Sequence, residues 1–220
     1  TIPYINDDSA SFSIAGTAEV GQELTINKTT DDPDGNSIAT GGGTGHDFQY
    51  AWESSSDGTN WDLVQPLSGN NKCSVGSSIE GKKLRGVVHY IDDQNFSEQV
   101  TTSSVDIPYV NNSIAYLDIN PNKAPDGNVV IGEILDIIEV SPDGDGNGQS
   151  IDSYSWQSSS DGSTWIQIGT SSTYTVESSD EGKKIRSIIN YTDNQGFSET
   201  TSTVTTVEVA YKDDGDASFS

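Results

Sequence analysis

The sequence predicts an all-β chain made of two tandem immunoglobulin-like Greek-key β-sandwiches. The segment YAWESSSDGTNWDLV (50–64) recurs as YSWQSSSDGSTWIQI (154–168), with 8 of 15 positions identical. The two copies lie 104 residues apart, and about 100 residues is the size of one immunoglobulin-like sandwich. Short alternating apolar segments separated by Gly, Asn and Asp turns fill the rest of each repeat, and no segment shows the helical period.

The repeated segment predicts two strands joined by a hairpin. Tyr50 and Trp52, like Tyr154 and Trp156, are two residues apart, which places each aromatic pair on one face of a strand. An Asp-Gly pair follows and predicts a tight turn. A further Trp then lies on the second strand. Because a buried Trp followed by a hairpin is typical of immunoglobulin-like cores, we expect Trp52 and Trp156 to centre the two cores.

The other strands of the first repeat have counterparts in the second. The matched segments are GQELTI (21–26) with GEILDI (132–137), KCSV (72–75) with TYTV (173–176), and EGKKLRGVVHYIDDQNFSE (80–98) with EGKKIRSIINYTDNQGFSE (181–199). The last pair is identical at 11 of 19 positions. Together with Phe12 and Ile14 on a first strand, these segments predict roughly seven strands per repeat.

The repeats also set the domain boundaries. We assign residues 1–107 to repeat 1 and residues 108–210 to repeat 2. Residues 211–220, YKDDGDASFS, echo YINDDSASFS at 4–13, so we expect them to begin a third repeat and the chain to be part of a longer array. The sequence shows no secretory signal peptide and no long apolar run, so we expect no direct membrane insertion.

Charge and cysteine content narrow the function classes. The chain has 34 acidic and 10 basic residues and a formal net charge of −24. Phosphate recognition requires Lys and Arg, so nucleic acid is excluded as an expected partner, and anionic membrane surfaces are disfavoured. The single cysteine, Cys73, excludes an internal disulfide. Cys73 aligns with Tyr174, so we expect it to occupy a position in the core.

Three motifs of the chain carry a family resemblance. The pattern Y-x-W-x-x-S-x-D-G-x-x-W, then E-G-K-K-[LI]-R and Y-x-D-x-Q-x-F-S-E, resembles the immunoglobulin-like tandem repeats of large bacterial secreted and cell-surface adhesins and RTX-type proteins. The resemblance covers both repeats almost entirely. It implies an extracellular or cell-surface location, a spacer or adhesion role, and neighbouring repeats of the same chain as partners. It leaves open whether a cell surface or a glycan is also bound.

Acidic and amide side chains predict a Ca²⁺ site in each repeat. In an immunoglobulin-like topology, the loop before the Trp strand, the loop after the Tyr90 or Tyr191 strand and the leading linker meet at one pole. The candidate ligands there are Asp7, Asp8, Asp32, Asp34, Asp92 and Asp93 in repeat 1, and Asn111, Asn112, Asp143, Asp145, Asp193 and Asn194 in repeat 2. Oxygens converging from three segments suit Ca²⁺, which we expect at or near the junction, stiffening the array.

An alternative for these residues is that they are solvated turn residues, because Asp and Asn favour turns on their own account. No loop has the full EF-hand spacing, and no glycine-rich nonapeptide repeat is present.

Trp61 and Trp165, on the second strand of each hairpin, support an alternative function. An exposed Trp can stack on a sugar, which would make the chain a carbohydrate-binding module of a secreted enzyme. The other interpretation is that each Trp covers the outer edge of its own sandwich.

The sequence does not predict an enzyme. The two histidines, His46 and His89, have no counterpart in the other repeat, and no Ser lies in a nucleophile elbow. The glycine-rich segment at 41–45 lacks the Lys-Ser/Thr end of a phosphate loop.

Overall fold

The computed structural model describes residues 3–35, 47–120, 122, 127–146, 148 and 151–212. It divides the chain into two compact units, Thr1–Val110 (unit 1) and Asn111–Ser220 (unit 2). Nearly all regular structure in the described residues is β-strand, interrupted by two short 3₁₀ turns at Ser77–Ile79 and Ser178–Asp180. The predicted all-β fold class is therefore confirmed.

Unit 1 contains eight strands among its described residues, one more than predicted. They are β1 (Ser11–Ala15), β2 (Glu23–Thr30), β3 (Gln49–Ser55), β4 (Asp62–Ser68), β5 (Lys72–Ser74), β6 (Lys83–Ile91), β7 (Ser97–Thr101) and β8 (Val105–Asp106). One sheet has the order β1-β2-β5, and the other has the order β4-β3-β6-β7 with β8 also paired to β6. The chain changes sheet after β2, after β4 and after β5, which gives the Greek-key connection.

Trp52 centres the core of unit 1. It is fully buried with Leu24 and Ile26 from one sheet and Leu84 and Val88 from the other. These side chains follow the two-residue alternation of their strands, which places every second side chain inside. Burial of a large apolar side chain contributes about 1.5–3 kcal/mol, so this cluster is the main source of stability in a unit without a disulfide.

Unit 2 repeats this plan with nine strands among its described residues. They are β9 (Tyr116–Ile119), β10 (Asn128–Val129), β11 (Ile134–Ser141), β12 (Ile151–Ser159), β13 (Ile166–Gly169), β14 (Thr173–Thr175), β15 (Lys184–Thr192), β16 (Ser198–Ser202) and β17 (Val207–Val209). One sheet has the order β14-β11-β9, and the other has the order β10-β17-β15-β12-β13 with β16 on β15. Trp156 lies fully buried between Leu135 and Ile185 of the two sheets.

The hairpin loops differ from the predicted tight turn. β3 ends at Ser55 and β4 begins at Asp62, so the Asp-Gly pair lies within the six-residue loop 56–61. Oδ1 of Asp57 accepts the backbone N–H groups of Thr59 and Asn60 at 2.8 and 2.7 Å. The wider loop is stable because this carboxylate satisfies amides that a two-residue turn would have paired.

The same loop places the second Trp of each hairpin outside its predicted strand. Trp61 immediately precedes β4, and Trp165 immediately precedes β13. In unit 2, Oδ1 of Asp161 accepts the N–H groups of Ser163 and Thr164 at 2.8 and 2.7 Å. The wide loop is therefore a property of the repeat.

The two cores differ at one pair of equivalent positions. In unit 1, Cys73 and Ile79 are both buried. Their counterparts in unit 2 are Tyr174 and Asp180, and the Tyr174 hydroxyl donates a hydrogen bond to Oδ2 of the buried Asp180. Burial raises the pKa of Tyr174, and the accepting Asp180 carboxylate adds to the effect. An apolar pair in one unit is thus replaced by a hydrogen-bonded polar pair in the other.

Candidate metal centre

Three carboxylates meet at one end of unit 1. Asp32 and Asp34 lie in the loop that follows β2, and Asp92 follows β6 directly. Their exposed fractions are 4%, 6% and 0%. One oxygen of each lies within 4.8 Å of the others, a spacing that a metal ion can bridge. We call these three residues the acidic cluster of unit 1.

Tyr90 fixes the position of Asp32 in this cluster. The Tyr90 hydroxyl donates to Oδ2 of Asp32 at 2.6 Å and accepts the backbone N–H of Ala10 at 2.7 Å. Oδ1 of Asp32 accepts the backbone N–H of Asp34 at 2.8 Å. Burial raises the pKa of Tyr90, and the hydrogen bond to Asp32 raises it further, so the hydroxyl keeps its proton.

Asp92 brings an unpaired buried oxygen to the cluster. Its Oδ1 accepts the backbone N–H groups of Gln94 and Phe96 at 2.9 and 2.8 Å. Its Oδ2 is buried and has no hydrogen-bond partner among the described residues. Gln94 donates from Nε2 to Oδ1 of Asp34 at 2.8 Å, and its Oε1 is likewise buried without a described partner. Unpaired buried acceptors cost about 1–3 kcal/mol each, and a cation at the acidic cluster would offset this cost for Asp92.

Unit 2 carries an equivalent set, the acidic cluster of unit 2. Asp143, Asp145 and Asp193 are 4%, 7% and 5% exposed. The Tyr191 hydroxyl donates to Oδ2 of Asp143 at 2.6 Å, as Tyr90 does to Asp32. Oδ2 of Asp193 is buried and unpaired among the described residues. Within the described part of the chain, however, the 4.8 Å spacing of three acidic side chains occurs in unit 1 only.

The residues just before the first strand of each unit, which we call its leading segment, are hydrogen-bonded to the acidic cluster of that unit. The backbone N–H of Asp7 donates to Oδ2 of Asp34 at 2.9 Å. In unit 2, Asn112 donates to Asp145 twice, from its backbone N–H to Oδ2 at 2.6 Å and from Nδ2 to Oδ1 at 2.8 Å. Asp7 and Asn112 therefore contribute hydrogen-bond donors at this end of each unit.

Four further predicted residues lie at the edge of the clusters. Asp8 is exposed and accepts the N–H of the adjacent Ser9 at 3.0 Å. The exposed Asp93 and Asn194 lie against Gly35 and Gly146, where an added Cβ would be 2.4 and 2.1 Å from their side chains.

Asn111, the fourth, donates from Nδ2 to Oε1 of Glu199. None of these four residues belongs to the three-carboxylate group identified among the described residues.

The sequence-based list omitted residues that the structure brings into the site. Gln94 contacts Asp34 in unit 1, and Tyr90 and Tyr191 position the clusters. Glu98 is buried and accepts hydrogen bonds from Asn6 and Ser9 at 2.7 and 2.8 Å. The repeated motif Y-x-D-x-Q-x-F-S-E contains the Tyr, Asp, Gln and Glu of this set, and its recurrence was the available signal.

Trp61 and Trp165 each have one ring face covered by an arginine. The guanidinium carbon of Arg85 lies 3.9 Å from the centroid of the Trp61 ring, and that of Arg186 lies 4.2 Å from Trp165. Arg85 is also paired with Glu53 at 2.8 Å. Both Trp rings are half-buried. Each Trp therefore has an arginine of its own unit over its ring.

The remaining predictions concern isolated residues. Cys73 is buried, as expected. His89 lies on β6 opposite Gln49 and is half-buried. His46, the glycine-rich segment 41–45 and residues 213–220 of the predicted third repeat lie outside the described residues.

Among the residues that the structure describes, no helix is long and apolar enough to cross a membrane.

Comparison with solved structures found adhesin repeats and fibronectin type III segments at low identity. A Ca²⁺-stabilized adhesin with which an Antarctic bacterium binds ice is 11% identical, with 93% of this chain and 50% of that chain covered and a TM-score of 0.32. A tetra-tandem repeat from the extending region of a large adhesion protein is 11% identical, with coverages of 90% and 49% and a TM-score of 0.35. A two-domain fibronectin type III segment of chicken tenascin is 11% identical, with coverages of 91% and 99% and a TM-score of 0.36.

At such low identities these likenesses concern the fold class alone. The chain spans half of the length of the ice-binding adhesin chain and about half of the tetra-tandem repeat. No protein-family model matches the sequence, and no curated protein matches it.

Proposed function

We propose that the chain is a non-catalytic extracellular spacer or adhesion module of a long repetitive bacterial surface protein, stiffened by Ca²⁺ bound at the acidic clusters. The observation that carries this proposal is the unpaired, fully buried Oδ2 of Asp92 beside Asp32 and Asp34. A neutral apolar environment would not tolerate such an oxygen without a partner. The motif resemblance to bacterial surface repeats supplies the cellular context of the proposal.

Charge supports a cation at this position. At an effective dielectric of about 20, two carboxylates 4.8 Å apart repel each other by about 3 kcal/mol. Three such groups with one unpaired oxygen therefore favour a bound positive ion over an empty cluster. The formal net charge of −24 adds a long-range attraction for cations.

The donor set favours Ca²⁺ over a transition metal. The acidic cluster of unit 1 and the adjacent Gln94 offer carboxylate and amide oxygens, and the three clustered residues are all Asp. Hard oxygen ligands suit Ca²⁺ and Mg²⁺, whereas Zn²⁺ and Cu²⁺ sites use His and Cys. A set contributed by two loops fits the flexible coordination of Ca²⁺ better than the strict octahedron of Mg²⁺.

Stiffening follows from what the cluster holds. Asp34 is both a cluster carboxylate and the acceptor for the backbone of Asp7, and Asp145 accepts from Asn112 in the same way. An ion that fixes these carboxylates would also fix the leading segment of each unit. In a tandem array, order at this segment decides how far the array extends as a rod.

The test is a thermal melt of the full chain in Ca²⁺ and in chelator. At a Ca²⁺ level about 100 times the dissociation constant, binding adds about 2.7 kcal/mol, which corresponds to an increase of roughly 10 °C in the Tm of a domain of this size. Asp92→Asn should abolish the Ca²⁺-dependent part of this increase in unit 1, and Asp193→Asn that in unit 2.

Asp62→Asn is the matched control, because it removes the same charge from an exposed strand position. It should keep the full Ca²⁺ response. Equal melting curves with and without chelator would refute the Ca²⁺ role.

A carbohydrate-binding function has less support. The arginines that cover Trp61 and Trp165 leave at most one face of each half-buried ring for a sugar. Titration of oligosaccharides with Trp fluorescence as the readout tests this alternative. A saturable change that is lost in Trp61→Ala and Trp165→Ala would favour it over the spacer function.

A further inference from the structure

The C-terminal segment of unit 1 is bound to a glycine corner of the same unit. The ring of Tyr109 packs on Gly81, where an added Cβ would lie 2.2 Å from Cε1 and Cζ of the ring. Gly81 has a φ of +69°, so the corner itself also requires glycine. The backbone N–H of Val110 donates to Oε1 of Glu80 at 2.7 Å. We call this arrangement of Glu80, Gly81, Tyr109 and Val110 the C-terminal anchor of unit 1.

Unit 2 has the same anchor at its own C-terminal segment. Tyr211 packs on Gly182, where an added Cβ would lie 2.4 Å from the Tyr hydroxyl oxygen, and Gly182 has a φ of +70°. The backbone N–H of Lys212 donates to Oε1 of Glu181 at 2.5 Å. The Glu-Gly corner therefore contacts the Tyr-containing segment in both repeats, with Tyr109 49% exposed and Tyr211 80% exposed. Only Tyr is shared between the two segments.

The N-terminal segment of unit 2 is bound to that unit from its first residue. Nδ2 of Asn111 donates to Glu199, and Asn112 donates twice to Asp145. Unit 1 shows the equivalent contacts, with Nδ2 of Asn6 donating to Glu98. We call the contacts of Asn111 and Asn112 the N-terminal anchor of unit 2.

We propose that the linker motif is a two-part joint. Its first part, which contains Tyr109, binds the Glu-Gly corner of the preceding unit. Its second part, Asn111 and Asn112, binds the end of the following unit that carries the acidic cluster. The C-terminal anchor ends at Val110, and the N-terminal anchor begins at Asn111, the same peptide at which the chain divides into its two units. The Val110–Asn111 peptide therefore separates the last residue bound within unit 1 from the first residue bound within unit 2.

This inference deepens the proposed spacer function and rests on it for its biological meaning. It adds a physical element that is separate from the acidic clusters. Glu80 is the one carboxylate among the four residues of the C-terminal anchor. The contacts of the anchor are the packing of the Tyr109 ring on Gly81 and one hydrogen bond from Val110 to Glu80. Half of the joint is therefore independent of Ca²⁺, and the other half includes Asp145 of an acidic cluster.

Removal of the C-terminal anchor should broaden the distribution of distances between the two units. Loss of the C-terminal anchor would release residues 109 and 110, and a free tether of two residues has a root-mean-square span of about 8 Å. The experiment is electron–electron distance measurement on the full chain with spin labels at Ser56→Cys and Ser160→Cys. These are equivalent exposed loop positions of the two units, and Cys73→Ala in all samples prevents a third label.

Tyr109→Ala should widen the distance distribution by about 8 Å. Tyr211→Ala, which removes the same contact at the far end of unit 2, should leave the distribution as in the parent chain. Glu80→Ala and Glu181→Ala form a second matched pair that spares the aromatic packing. Thermal melts of all four variants establish that both units are folded.

Equal widths for the Tyr109→Ala variant and the parent chain would overturn the proposal. A parent distribution as broad as that of a variant with a Gly-Ser insertion after Val110 would also overturn it. Measurement in chelator separates this proposal from the Ca²⁺ role. Widening by Tyr109→Ala without widening by chelator supports the anchor alone, and the converse supports Ca²⁺ stiffening alone.

Discussion

The hydroxyl of Tyr90 donates a 2.6 Å hydrogen bond to Oδ2 of Asp32, and the ring of Tyr90 lies in the core of unit 1. The Tyr90 hydroxyl oxygen also accepts the backbone N–H of Ala10 at 2.7 Å. One side chain thus connects the core, the leading segment and the acidic cluster. Tyr191 makes the same two contacts, to Asp143 and Ala115, in unit 2.

Tyr90→Phe should destabilise unit 1 by about 1–3 kcal/mol, because it removes the hydrogen-bond partner of Oδ2 of Asp32 and that of the Ala10 amide. It should also weaken Ca²⁺ binding, since Asp32 loses the contact that positions it. Urea unfolding and calorimetric Ca²⁺ titration measure the two effects. Tyr50→Phe removes a hydroxyl from a half-buried ring of the same core and is the control. Equal losses in both variants would contradict the positioning role.

Stability should fall at alkaline pH through the buried tyrosines. Burial raises the pKa of Tyr191 to about 12, and the accepting Asp143 carboxylate adds to the shift. An unfolded Tyr has a pKa of about 10. The pKa of the folded state is the higher one, so this contribution is complete below about pH 10 and is lost as the pH rises toward 12.

Unfolding free energies measured across this range should decline less steeply for Tyr191→Phe than for the parent chain. Tyr116→Phe, which removes an exposed hydroxyl, should retain the parent slope. An equal pH dependence of the unfolding free energy in the parent chain and both variants would contradict the role of Tyr191.

The hairpin loops should lose stability in acid. The backbone N–H of Asn60 and that of Thr59 hold the pKa of Asp57 well below its usual range, and the N–H groups of Thr164 and Ser163 do the same for Asp161. The folded-state pKa is the lower one. The contribution is therefore present above the unfolded carboxyl pKa of about 4 and is lost as the pH falls below it.

The double variant Asp57→Asn and Asp161→Asn should show a weaker decline of Tm between neutral pH and strongly acidic pH. Asn keeps an oxygen acceptor but does not titrate. Asp62→Asn changes one exposed carboxylate outside the loops and should follow the parent curve. A double variant with the parent acid response would rule out this role of the loop carboxylates.

Tyr174 and Asp180 should behave as a coupled pair. Asp180→Ile and Tyr174→Cys introduce the unit 1 residues singly. Asp180→Ile should destabilise unit 2 because the Tyr174 hydroxyl is left buried without its acceptor, and Tyr174→Cys because Oδ2 of the buried Asp180 then keeps only the backbone N–H of Glu177. The double variant should be less destabilised than the sum of the two, with a coupling of about 0.5–3 kcal/mol. Additive losses in a double-mutant cycle would show that the pair is independent.

The fold was predictable because its signals are local and occur twice. The alternation around Trp52 and Trp156 and the shared EGKK corner both depend on residues that are near in sequence. The loop width was not predictable from the Asp-Gly pair. It depends on amides that the carboxylates of Asp57 and Asp161 accept in the folded loop.

The candidate site was predictable in part. Burial selects Asp32, Asp34 and Asp92 from the many acidic residues, and burial depends on strand ends that lie far apart in sequence. The sequence predicts Asp7 as a carboxylate ligand, which stays a prediction, and it gave no sign of the hydrogen bond from the Asp7 backbone N–H to Asp34. Gln94 was missed although it recurs as Gln195 in the repeated motif, because the recurrence of a polar loop residue does not say which side chain it contacts.

The exchange of Cys73 and Ile79 for Tyr174 and Asp180 should also disfavour the exchange of strands between the two units during folding. Adjacent homologous sandwiches can trade strands during synthesis, and such domain swapping is a characteristic misfolding route of repeat proteins. If β14 were inserted into unit 1, the Tyr174 phenol would meet Ile79 and find no acceptor. The reciprocal swap would remove the Tyr174 hydroxyl from Asp180 and leave it the Glu177 N–H, so the polar pair is complete only when both residues belong to the same unit.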